Sequence, residues 1–214
     1  MKRFITILLS FLFISFQSVK AEVGFGISGA YHMLEADGHE ITRNSGQRNA
    51  GNHSDDILVP EAFLEIINGD LAMGLSYIPT RDMGGKSRSD TNGEGDTGTY
   101  TAAAEFDNVI QFYFDYSFAE ALGASIYSKI GVQHATLVTV ESLNSGSTYP
   151  NEDLYGLTLG LGAKGDLAGN VYYKTEVAYT NFEDYDKQDT AGTGNKVEAD
   201  LEDIAVRLSL GYKF

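Results

Sequence analysis

The sequence predicts an all-β fold: an eight-stranded antiparallel up-and-down transmembrane β-barrel with short turns at one end and long loops at the other. Three observations predict it. First, Leu201 to Phe214 alternates strictly. Ile204, Val206, Leu208, Leu210, Tyr212 and Phe214 share one face, and Asp203, Ala205, Arg207, Ser209, Gly211 and Lys213 share the other. That period is the mark of a strand with two different environments. Second, seven earlier segments carry the same period. Third, the connections between these eight segments are alternately long and short. A barrel strand in a membrane turns its apolar face to lipid and its polar face to the interior, and closure leaves no sheet edge for lipid to satisfy.

The chain opens with a segment that reads as a secretory signal peptide over 1–21. Lys2 and Arg3 form a basic head, Phe4 to Phe16 is apolar apart from Thr6, Ser10 and Ser15, and Val19-Lys20-Ala21 offers small residues for cleavage. The run is short for a membrane span, which needs about 20 apolar residues. An uncleaved anchor is the competing reading. On the first reading the barrel domain is 22–214. Lys2, Arg3 and Lys20 leave with the signal, so 12 of 15 basic residues remain against 30 acidic ones, a formal charge of −18. Such acidity argues against nucleic acid, which needs a basic face. Cysteine is absent, which suits an oxidising compartment without proving one.

The strands follow in order. Val23, Phe25, Ile27, Tyr31 and Met33 mark the first; Leu58, Ala62, Leu64 and Ile66 the second; Leu71, Met73, Leu75 and Tyr77 the third. Phe106, Ile110, Phe112, Phe114, Tyr116 and Phe118 mark the fourth, and Ile126, Ile130 and Val132 the fifth. Tyr155, Leu157, Leu159 and Leu161 mark the sixth, Val171, Tyr173, Val177 and Tyr179 the seventh, and the terminal run is the eighth. Asn68-Gly69-Asp70, Ala119 to Gly123 and Ala168-Gly169-Asn170 are short and have turn chemistry. About His39 to Asp56, Arg81 to Glu105, Glu141 to Asp153 and Glu183 to Asp200 are long and polar, and are expected to be mobile loops.

Two sets of side chains follow from this register. Phe25, Phe118 and Tyr173 near the turn ends, and Tyr31, Tyr77, Phe106, Tyr155 and Tyr179 near the loop ends, form two candidate aromatic girdles. Ordinary strand propensity is the alternative source of such rings. Glu61, Glu65, Asp115, Lys129, Lys164, Lys174, Glu176 and Arg207 all fall on the inward face within a narrow slab, four acids with four bases. Unpaired buried charge is costly, so a paired lumen network is expected, with Arg207–Glu176 first and Lys129–Asp115 second. Separate hydration in a wet lumen is the alternative. Tyr113, Tyr127, Tyr172 and Phe63 would fill much of the remaining bore.

The ending Leu210-Gly211-Tyr212-Lys213-Phe214 resembles the C-terminal strand of bacterial outer-membrane β-barrels. The whole barrel segment resembles the eight-stranded superfamily that includes the OmpA transmembrane domain, OmpX-like, opacity-type and OmpW-like proteins. The resemblance implies residence in the outer membrane of a Gram-negative bacterium after Sec export, with lipid and lipopolysaccharide as neighbours. It also implies that periplasmic chaperones and the barrel-assembly machinery handle the chain, the latter reading Tyr212 and Phe214. The short turns would then be periplasmic and the long loops extracellular, on a monomer.

A soluble sandwich or lipocalin-like barrel would place the apolar face inside, but the aromatic weight of Phe106 to Phe118 would crowd a small interior. No catalytic residues are assigned. His32 points inward with Glu35 and Asp37 close in sequence, but no serine is placed against it, and it reads as a polar lumen residue. No cofactor is expected. No metal site is assigned: His39 and His53 are irregularly spaced, and the acidic last loop lacks the spacing of a calcium loop, so a solvated surface is favoured over cation binding. Two functions remain: a structural and surface-display scaffold with a filled lumen, whose loops meet an unknown surface ligand or support envelope integrity, and a narrow OmpW-like channel for small solutes.

Overall fold

The computed structural model describes residues 21–90, 98–142 and 146–214, with the side chains of 83–90, 98–102 and 140–142 left out. The signal segment therefore lies outside the described residues, apart from Ala21. Ten strands occur among those described: β1 (Glu22–Ile41), β2 (Arg48–Asn68), β3 (Leu71–Ile78), β4 (Arg81–Asp90), β5 (Gly98–Ala121), β6 (Ala124–Ser142), β7 (Glu152–Ala168), β8 (Val171–Phe182), β9 (Tyr185–Gln188) and β10 (Lys196–Lys213). They make eight walls. β3 and β4 pair successive stretches of β5, and β8 and β9 do the same along β10. The β3–β4 break falls at Pro79, which has no N–H to give the ladder.

Each strand pairs antiparallel with the next, and β1 pairs with β10 from Gly24↔Lys213 to Ile41↔Lys196, closing the ring. All three short turns are two residues long, and Gly69 at φ 59° starts the one from β2 into β3. Leu122 and Gly123, both at positive φ, turn β5 into β6, and Gly169 at φ 58° starts the turn into β8. The outward rows are apolar and open: Ile27, Leu58, Leu157, Leu161 and Leu208 are all exposed, Leu208 by 67%. A belt of that extent suits lipid and would be an aggregation surface in water.

Three expectations need correction. The first two long connections, 39–56 and 81–105, are largely strand among the described residues, and the last is partly so. β1 and β2 stay paired up to Ile41↔Arg48, leaving only 42–47 as loop, and β9 lies inside the last connection. Polar composition hid this, because above the membrane both faces of a strand can be polar. Second, the described parts of these loops are tied down rather than free, as set out below. Third, Phe106 is not a girdle residue. β5 carries a bulge in which Asp107 faces Thr136 and Ile110 faces His134, so Asn108 and Val109 together oppose Ala135. One extra residue inverts the parity. Phe106 turns inward, fully buried, and stacks on Phe182 with centroids 4.6 Å apart. Phe25, Tyr31, Tyr77, Phe118, Tyr155 and Tyr179 face outward and exposed, and Tyr173 is half-buried beside Gly165.

Candidate functional site

The lumen is the candidate site, and it is layered. Near the turn end sit four aromatic rings, each directly across a ladder from a glycine: Phe63↔Gly26, Tyr113↔Gly74, Tyr127↔Gly162 and Tyr172↔Gly211. A Cβ at any of these glycines would run into the ring opposite. The four ladders together use all eight walls. The glycines that punctuate the inward rows are thus the floor on which the rings lie, the arrangement by which aromatics cover cross-strand glycines in curved sheets.

Above and between the rings runs one connected set of charges. Glu65 accepts from the Tyr113 hydroxyl at 2.9 Å, from the Tyr172 hydroxyl at 2.8 Å and from Lys174 at 2.9 Å. Lys174 also donates to Asp115 at 2.7 Å. Lys129 lies 3.9 Å from Asp115 and 2.7 Å from Glu176, and its Nζ sits 4.0 Å over the Tyr113 ring. Glu176 further accepts from Tyr127 at 2.9 Å and from Arg207 at 3.3 Å. Arg207 donates to Glu61 at 2.8 and 3.2 Å. Glu61 meets His32 Nε2 at 2.9 Å, and His32 Nδ1 faces Asp203 at 2.9 Å. Arg81 closes the series at 2.7 Å from Asp203. All of these charged side chains are buried.

Of the eight inward charges read from the sequence, seven are thus gathered. Arg207 does meet Glu176, but its shorter bonds go to Glu61, and Lys129 is closer to Glu176 than to Asp115. Lys164 is the exception. It stands at the turn-side mouth, half-buried, and among the described residues it makes no ion pair and no hydrogen bond. The reason is its rung, on which it faces Lys174 across β7–β8 and Ser125 across β6–β7 rather than a carboxylate.

Sequence reasoning missed Arg81, Asp203 and the extent of His32. Asp203 was legible, since it lies four residues from Arg207 on the same inward parity. Arg81 was not, because it opens the stretch Arg81 to Glu105 that reads as a long polar loop. His32 is fully buried, and its ring nitrogens face Glu61, Asp203 and the Arg81 guanidinium; no hydroxyl is among its hydrogen-bond partners in the described residues.

Beside the charges, Gln111, Gln133, Thr158 and Thr180 form a neutral layer, with Gln111 donating to Thr158 at 3.0 Å and Gln133 to Thr180 at 3.0 Å. Above it the bore is packed with Leu34, Val59, Ile78, Phe106, Val109, Leu137, Leu154, Phe182 and Leu201. Tyr149 and Tyr185 reach into this apolar plug from the loop end. A cap covers it. Asn195 accepts from the Arg43 amide and donates to Glu40 and Ser147. Asp189 accepts from the amides of Thr148, Ala191 and Thr193. Against a desolvation that pushes it up, these bonds hold the Asp189 carboxyl below the usual carboxylate range. Among the described residues no group of His, Asp and Glu is arranged to hold a metal ion.

No family model and no curated protein matches the chain. Solved structures do. It is similar to the outer membrane protein OprG from Pseudomonas aeruginosa, at 16% identity and a TM-score of 0.63, covering 94% of this chain and 99% of that one. It is similar to the outer membrane protein AlkL, determined in lipid bilayers, at 12% identity and a TM-score of 0.53, covering 94% and 93%. It is also similar to the outer membrane protease OmpT from Escherichia coli, at 11% identity and a TM-score of 0.51, covering 94% and 100%. With the closed antiparallel ring and the apolar outer belt, these likenesses give the chain the fold of the bacterial outer-membrane β-barrels.

Proposed function

We propose that the chain is an integral outer-membrane barrel that works as a rigid scaffold, holding a structured surface outside the membrane on a plugged stem. The observation that carries this reading is the continuous filling of the bore. Aromatic rings, a connected charge network, an amide–hydroxyl layer and an apolar plug follow one another without a break, under a hydrogen-bonded cap. Eight strands leave an interior about wide enough for side chains to fill, so nothing further is needed to occlude it. The same features speak against the channel reading, which needs either a wet passage or an apolar exit.

On this reading the turn end is periplasmic and the cap faces outward. Tyr212 and Phe214, edge-on with centroids 5.0 Å apart on the outer face of β10, stand where the assembly machinery would read them, and the apolar belt meets lipid and lipopolysaccharide. The loop over 42–47 is the natural display point. An epitope inserted between Asn44 and Ser45 should be bound by antibody on intact cells while the barrel still assembles. Binding only after the outer membrane is opened would contradict the orientation and the display role.

A further inference from the structure

At its turn end the lumen opens into a blind cavity of about 550 Å³, bounded by Ser125, Lys164, Tyr172 and Lys213 among others. Its roof is closed by the Tyr172–Glu65–Lys174 bonds. The other lumen cations all meet carboxylates: Lys129, Lys174, Arg81 and Arg207 each lie within 4 Å of at least one. Lys164 alone among them does not, though it lines the cavity and stands on the same rung as Lys174. Two ammonium groups on one rung repel, and Lys174 is matched by Glu65 and Asp115, whereas Lys164 has no carboxylate within ion-pair distance among the described residues. A cation removed from part of its water without a partner costs free energy that an anion from solution can recover.

We propose that this vestibule is a binding site for a small phosphate oxyanion, free or as a lipid headgroup, held by Lys164. Ser125, directly across β6–β7 from Lys164, supplies a hydroxyl donor on the cavity wall. Lys213 stands at the rim but is already engaged by Asp166 at 2.6 Å and approached by Glu22 at 3.9 Å. Those two rim carboxylates, with Glu65 in the roof, oppose any anion, so one is held only where it sits directly on Lys164 and Ser125. The volume is within the range of small-ligand pockets. The lumen above is plugged, so the ligand enters and leaves by the same mouth and is bound rather than passed on. The proposal rests on the barrel fold and on the charge pairing, not on the display role.

The test is a titration of the refolded barrel, labelled with ¹⁵N, in maltoside micelles, which carry no phosphate. Inorganic phosphate in one arm and phosphatidylglycerol in the other, each at constant ionic strength, separate a free anion from a lipid headgroup. Saturable shifts of the Ser125 and Gly165 amides in either arm, weakened at least tenfold in Lys164→Gln and kept in Lys164→Arg, support the site and name the source. Absence of saturable shifts in both arms overturns it. So do shifts that persist unchanged in Lys164→Gln while its remaining amide spectrum matches that of the unmodified barrel.

Discussion

Arg207 sits where the lumen network branches, with Glu61 on one side and Glu176 on the other. Removing it strands two buried carboxylates, so Arg207→Ala should cost about 3–5 kcal/mol, the usual penalty for breaking a buried pair from one side. Because both shorter bonds go to Glu61, a double-mutant cycle of Arg207→Ala with Glu61→Ala should give a larger coupling than the cycle with Glu176→Ala. Equal and near-zero couplings in urea refolding titrations would mean the charges are separately hydrated. The ring-on-glycine pairs make a sharper steric prediction. Gly74→Ala drives a methyl into the Tyr113 ring and should destabilise by about 1–3 kcal/mol, the range for overpacking. Gly29→Ala, whose Cβ meets nothing within 4 Å on the outer face, should be close to neutral in the same titration. Comparable losses at both positions would show that the rings do not lie where they are placed.

Elements explain what could be read in advance and what could not. The parity of each strand within the membrane was legible, because lipid on one side and a polar bore on the other force a period of two. Arg207, Glu176, Glu61 and Glu65 were therefore found on the right face. The bulge in β5 was not legible: Asp107-Asn108-Val109 carries no glycine or proline, and the positive φ of Asn108 is visible only in the fold. That single insertion moved Phe106 from an expected girdle to the apolar plug. The long loops were misjudged for a related reason. Once the walls leave the membrane the outer face becomes polar, as at Glu35, Asp37, Asp200 and Glu202, while Leu34, Ala36, Leu201 and Ala199 keep facing the plug, so a strand reads as a polar segment.

The cap is an element with its own prediction. Asp189 holds four backbone amides, those of Thr148, Ala191, Thr193 and Gly194, and its carboxyl lies below the usual range, so its contribution is fully present above the ordinary carboxylate pKa of about 4 and is lost as pH falls through the lower folded value. Amide exchange at Thr148, Ala191 and Thr193 should therefore accelerate at strongly acidic pH beyond the intrinsic rate, and should be fast at neutral pH in Asp189→Asn. Unchanged protection in that variant would remove Asp189 as the organiser of the cap.

For the whole molecule, the layers sort by depth. The outer face runs from the turn-side aromatics Phe25, Phe118 and Tyr212 through the aliphatic belt to Tyr31, Tyr77, Tyr155 and Tyr179, and then turns acidic. The inner face runs the other way, from a polar vestibule through charges to an apolar plug. The charged interior is thus level with the lipid belt, and the apolar interior is level with the region where the exterior is polar. Above the belt the chain is in effect a small soluble barrel with its own core, mounted on a membrane stem whose bore is closed by ion pairs. The filling of that bore is the central claim, and conductance in a planar bilayer tests it most directly. Protein that has inserted should leave the bilayer without a steady open-channel current, at low and at high salt alike. A stable, reproducible single-channel conductance from the unmodified chain would contradict the account.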